Sequence, residues 1–167
     1  AVGGTTQLTS LTVTAASQVD INNVFTTGAQ SITGSNIDLN GTTYNSNAGG
    51  IAFNGAVDLV GAGASVDSDA DNTGASGNIS FSSTIDGAQA LTLDANTGAI
   101  SIAGAVGGTT ALTSLTIAAA SQVDINSVST TGAQSITGSN IDLNGTTYNS
   151  NAGDISFNGA VDLIGAG

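Results

Sequence analysis

The chain has 167 residues, a formal net charge of −12, and no Lys, Arg, His, Pro, Cys, Met or Trp. Every one of its twelve acids is an aspartate. These absences exclude Ser–His, Cys–His and Lys–Schiff-base catalysis, remove the usual ligands of zinc, haem and iron–sulfur sites, and leave nothing to neutralise nucleic-acid phosphates.

Only 7% of residues are charged and 40% are hydrophobic, with a mean hydropathy of +0.24, so the chain can bury a core. The longest stretch free of charge and of polar side chains other than serine, threonine included among the polar ones, is about Gly98 to Gly108, far short of the roughly 20 residues a membrane helix needs. No membrane insertion and no nucleic-acid partner are expected. The lack of cysteine fits an exported protein that does not rely on disulfides.

Along the chain, short segments alternate apolar and small polar residues. Leu11-Thr-Val comes first, followed by Val19-Asp-Ile-Asn, Ser31-Ile-Thr, Ile37-Asp-Leu-Asn and Ile51-Ala-Phe-Asn. After an acidic stretch come Ile79-Ser-Phe-Ser, Leu91-Thr-Leu and Ile100-Ser-Ile-Ala. Period-two alternation marks strands with one buried face, and no helical apolar stripe persists. By this alternation Phe53, Phe81 and Phe157 belong to the core, Phe25 points outward, and Tyr44 and Tyr148 pack over a corner.

From Ala105 the sequence begins again. Residues 1–63 recur as residues 105–167, an offset of 104, with 55 of 63 positions identical. Within this period the anchors Val19, Ile37, Ile51, Ile79, Ile100 and Val123 lie 18, 14, 28, 21 and 23 residues apart. They divide it into five sub-repeats averaging about 21 residues. One strand motif per 21 residues predicts an all-β fold, a parallel β-solenoid of about eight coils running continuously over 1–167, in which each coil pairs with those above and below. A sandwich of that size would not need its strands to look alike every 21 residues.

The third residue after each anchor is Asn22, Asn40, Asn54, Asn126, Asn144 or Asn158, with Ser82 and Ala103 interrupting the series. In a strict solenoid these would share one corner, where stacked amides can hydrogen-bond one another as a ladder.

The phrases Ile79-Ser-Phe-Ser-Ser-Thr-Ile-Asp-Gly-Ala-Gln-Ala-Leu-Thr-Leu and Ala105-Val-Gly-Gly-Thr-Thr-Ala-Leu-Thr-Ser-Leu-Thr-Ile resemble the tandem repeats of very large bacterial exoproteins, similar to filamentous haemagglutinin. That resemblance covers essentially the whole chain. It implies a right-handed β-helix acting as the structural shaft of a secreted or cell-surface filament or adhesin, with no catalysis. Its partners would be further copies of itself or adjoining repeats end to end, and any host or surface glycan would be bound through regions outside this segment. The uncharged ends, Ala1-Val-Gly-Gly and Leu163-Ile-Gly-Ala-Gly, suit such stacking.

The different-class alternative is a calcium- or glycan-binding surface module. No cofactor is required on the shaft reading, and calcium is the one candidate. Asp67, Asp69 and Asp71 have the alternate spacing of the first half of a calcium loop, within a 67–77 insertion in the longest coil. The turn glycine and bidentate glutamate of that pattern are missing, Asn72 and Asn78 standing in their places. Asp20 with Asp38, and Asp124 with Asp142, are expected side by side on adjacent coils. Thr12-Val-Thr14 is not repeated in register, which argues against an ice-binding array.

Overall fold

A computed structural model describes residues 1–165. Its described residues form strands, bridges and turns without a helix, and every strand pairing is parallel. The chain winds as a parallel β-solenoid of about seven turns of roughly 21 residues, close to the eight expected.

Each turn contributes one strand to each of three faces. The first face starts with Leu11–Thr14, which pairs residues 30–33 of the strand Gln30–Leu39; these pair residues 51–54 of Ile51–Leu59, and the stack continues through Ile79–Phe81, Ala99–Ile102 and Gln122–Ile125. The second starts with Gln18–Ile21, residues 36–39 and residues 56–59, then passes through Ile85, Val106 and Val128. The third stacks Val24–Thr26, Thr43–Ser46, Ala64–Asp67, Ala90–Asp94 and Ser114–Ala119.

Alternation decides which side chains go inward. On the first face Ile32, Phe53, Phe81 and Ile102 are buried one above another. The Phe53 and Phe81 rings stack with centroids 4.8 Å apart, and Tyr44 meets Phe53 edge-on at 6.1 Å. Aromatic pairs in these arrangements gain about 0.5–1.5 kcal/mol beyond the area they bury. Tyr44 lies wholly in the core rather than over a corner: its hydroxyl donates to the Ile21 carbonyl and accepts from the Gly41 N–H. Phe25 points outward and is half-buried.

Corners are made with few turn residues. Gln30–Leu39 and Ile51–Leu59 each pass from the first face to the second in one strand, bending at Gly34 and Gly55. These glycines stack so closely that a Cβ on Gly55 would collide with the Gly34 carbonyl oxygen. The same contact recurs between Gly159 and Gly138 in the second copy.

The two copies of the repeat do not lie above one another. Leu11–Thr14 is on the first face, but its counterpart, residues 115–118, is on the third. Gln18–Ile21 is on the second face and its counterpart Gln122–Ile125 on the first. Counting strand positions from Val2 to Val106, its equivalent, gives fourteen, or four and two-thirds turns for each 104 residues rather than five.

The physical reason lies in the short anchor spacings. All three strands of a turn use the same apolar-small-apolar pattern, so the motif also recurs between faces. Ile37 is on the second face and Ile51 on the first face of the next turn, only two-thirds of a turn apart.

Copies of one strand in different surroundings supply an internal control. In the first copy Phe53 is fully buried, with the next coil above it; in the second, Phe157 is only partly buried. Phe53→Ala should cost about 3–5 kcal/mol, the range for truncating a fully buried aromatic. Phe157→Ala should cost clearly less. Urea unfolding of the two variants checks this.

Candidate functional site

Like stacks on like in this fold, and the most chemically distinctive result is a row of carboxylates. On the second face Asp20, Asp38, Asp58 and Asp86 are successive partners in adjacent coils. The second copy rebuilds the row on the first face as Asp124, Asp142 and Asp162. The expected Asp20–Asp38 and Asp124–Asp142 pairs are thus present, as parts of longer rows. Asp58 and Asp86 were missed because they lie outside the anchor motifs, with Val60 and Ala88 rather than Asn two residues on, yet Val57-Asp-Leu and Ile85-Asp repeat the apolar-Asp pattern.

Like charges one coil apart, about 4.8 Å, repel. Side-chain amides beside the row offset part of this. Gln18 Nε2 donates to Asp38 at 2.6 Å and to Asp20 at 3.2 Å, and Asn36 Nδ2 donates to Asp38 at 2.6 Å. In the second copy Asn140 Nδ2 donates to Asp142 at 2.8 Å and to Gln122 Oε1 at 3.1 Å, and Gln122 Nε2 donates to Asp124 at 3.5 Å without reaching Asp142. Desolvation first, then the charges of Asp20 and Asp58, still push the Asp38 carboxyl above the usual carboxylate range. Asp124 is raised in the same way by desolvation and by Asp142.

The acidic loop is built differently from a cation cage. Asp67 Oδ1 accepts the Asp69 N–H at 2.9 Å, and Asp71 Oδ1 accepts the Thr73 N–H and hydroxyl. Asp69, only 3% exposed, accepts the Gly74 N–H and, at 2.6 Å, the Asn96 side-chain amide. Asn72 and Asn96 have φ of 54° and 47°, the left-handed turn conformation that asparagine tolerates. Each carboxylate therefore ties down its own piece of backbone. Among the described residues no group of three or more His, Cys, Asp or Glu side chains is gathered to hold a metal ion; Asp67, Asp69 and Asp71 make the hydrogen bonds just given.

The six asparagines do not form one column. Asn22 and Asn40 follow strands of the second face; Asn54, Asn126 and Asn144 follow strands of the first, with Ser82 and Ala103 in the same stack; Asn158 follows a strand of the third. Their side chains turn to local partners: Asn40 Nδ2 to the Asp38 carbonyl, Asn144 Nδ2 to the Asp142 carbonyl, Asn126 Nδ2 to the Ala103 carbonyl, and Asn54 Nδ2 to the Ser31 and Thr33 hydroxyls. Among the described residues no amide of this set bonds another.

Two further features repeat. On the third face Thr43, Ser65, Thr92, Thr116, Ser135 and Ser156 form an unbroken outward hydroxyl column, crossing from one copy into the next. Inside, Gln30 is buried, and its Nε2 donates to the Thr26 hydroxyl and the Asn45 carbonyl. Gln134, Thr130 and Asn149 repeat this network. In both copies the glutamine Oε1 is buried without a hydrogen-bond partner.

An apolar surface notch of about 150 Å³ opens beside Val106, Val128 and Ser129, where the first copy has Phe25 in place of Ser129. It brings no titratable group with it.

Compared with known proteins, the chain matches no family model, no curated protein and no solved structure.

Two outcomes are expected. Asp69→Ala should destabilise the chain by about 1–3 kcal/mol, because it removes the hydrogen bonds that this buried carboxylate accepts from the Gly74 N–H and the Asn96 amide; thermal or urea unfolding measures this. The second concerns pH. A carboxyl whose value is raised by folding binds protons more readily in the folded state, so its repulsion is absent at low pH and weakens the fold as pH rises through the raised value. The double variant Asp38→Asn/Asp124→Asn should therefore exceed the parent in stability at pH 7 by about a few tenths of a kcal/mol, the scale of a cross-strand pair. That difference should vanish toward pH 4. Urea midpoints measured across this range decide it.

Proposed function

We propose that this chain is a stretch of structural shaft from a secreted or cell-surface filament or adhesin, built like the repeats of filamentous haemagglutinin-type exoproteins and carrying no catalysis. One observation carries this reading: the repeat boundary is not a domain boundary. Ala99–Ile102 of the first copy pairs directly with Gln122–Ile125 of the second, and Ala90–Asp94 with Ser114–Ala119. Repeats that fuse into one stack without a linker add length rather than separate modules.

The chemistry is consistent with that role. The rows of aspartates are held by amides of the same face, the acidic loop uses its carboxylates on its own backbone, and no Lys or Arg offers a tryptic cut. Adjoining repeats or further copies would supply the next coil.

Negative-stain electron microscopy of six tandem repeats, about 130 Å long at about 22 Å each, should show straight rods, and far-ultraviolet circular dichroism of the isolated chain should show β structure with negligible helix. Glycan-array screening should find no ligand. Compact particles, or specific glycan binding by this segment, would replace the shaft with the surface-module reading.

A further inference from the structure

We infer that tandem copies of this unit form a shaft with three-fold screw symmetry, each repeat turning its faces by a third of the circumference relative to the last. The inference rests on the tandem-shaft reading and adds the geometry with which such a shaft meets a partner.

The offset is intrinsic to the repeat. A unit of fourteen strand positions wound three to a turn cannot end on the face where it began. The turn follows from where the chain spends its residues. In the first copy the second coil crosses the first corner within Gln30–Leu39, and the third does so within Ile51–Leu59. The coil containing the acidic loop is much longer, with eleven residues between Asp67 and Ile79. Unequal coils sum to 104 residues without completing a whole number of turns. The described part of the second copy repeats the same path one face away, through its Gln134–Leu143 and Ile155–Leu163 strands.

Surface features must then travel around the shaft. The aspartate row occupies the second face in the first copy and the first face in the second copy, and a third copy would place it on the remaining face. Successive rows are about 22 Å apart along the axis, four and two-thirds coils at about 4.8 Å each. The same face returns only after three repeats, about 67 Å. A flat, rigid partner, such as a second shaft lying alongside, therefore meets an identical carboxylate row at every third repeat. A partner that encircles the shaft meets one at every repeat. The array has neither a uniformly acidic side nor a uniformly neutral one.

The two possible windings predict different neighbours. With four and two-thirds turns per repeat, Ala52 lies beside Ser31 and Asp38 beside Asp58. With five turns, set by stacking the anchors, Ala52 would lie beside Asp38. The natural chain has no cysteine, so a double variant has a single possible internal disulfide. Neighbours on adjacent coils, about 4.8 Å apart, are within reach of one.

The test is oxidation of the double variants Ser31→Cys/Ala52→Cys, Asp38→Cys/Asp58→Cys and Asp38→Cys/Ala52→Cys in the full chain at low concentration. Mass spectrometry under non-reducing conditions reads the bond, and circular dichroism confirms that each variant folds. Ser135→Cys/Ser156→Cys and Asp142→Cys/Ser156→Cys repeat the comparison in the second copy, should a first-copy variant fail to fold. Near-complete disulfides in Ser31/Ala52, Asp38/Asp58 and Ser135/Ser156, with free thiols in Asp38/Ala52 and Asp142/Ser156, are expected. The reverse pattern would overturn the screw while leaving a straight shaft intact. Compact particles in the micrographs with the expected disulfides would overturn the shaft and leave the winding standing.

Discussion

Everything in this molecule depends on the parallel pairing of each coil with the next at a fixed spacing of about 4.8 Å. Parallel stacking in register sets every side chain above its counterpart one turn earlier. Where the counterpart is apolar or aromatic the result is favourable, and Ile32, Phe53 and Phe81 build a dry column from the repetition. Where it is charged, the same rule places Asp20, Asp38, Asp58 and Asp86 in a row with no basic residue anywhere to offset them. The fold accepts this cost at the surface, where water screens the carboxylates and the Gln18 and Asn36 amides donate hydrogen bonds to Asp38. The aspartate row is thus a by-product of the geometry that makes the core.

Architecture was legible in the sequence because period-two alternation and a 63-residue near-repeat at an offset of 104 both survive stacking unchanged. Strand positions, inward phenylalanines and the Asp20–Asp38 pairing follow from alternation alone. The number of turns per repeat was not legible, because the apolar-small-apolar pattern of Ile37 on one face is indistinguishable from that of Ile51 on another. A spacing of 14 residues reads as a short coil when it is two strands of a coil of ordinary size. The single asparagine column fails for that reason too, since it assumed one face for anchors that occupy three.

The acidic loop shows a different limit. Spacing of Asp67, Asp69 and Asp71 carries the same information whether the carboxylates turn toward a cation or toward backbone N–H groups. What decides it is the partner: Asn96 comes from the following corner, 27 residues away, and takes the buried Asp69 carboxylate. The left-handed φ of Asn72 and the Gly74 N–H complete a turn that uses the charge locally. Nothing in the loop's own seven or eight residues announces that partner.

A stack made of near-identical coils faces the problem of any ruled scale without numerals: one mark looks like the next. The buried Gln30, with Thr26 and the Asn45 carbonyl as its fixed companions, occurs once per repeat while apolar residues fill the neighbouring levels, Leu11 below and Ile51 above. A chain that misaligned by one coil during folding would press that amide against aliphatic side chains, forfeiting two hydrogen bonds inside the core. The glutamine thus acts as a numeral on the scale, and its orphaned Oε1 is the standing cost of keeping an otherwise uniform stack in step.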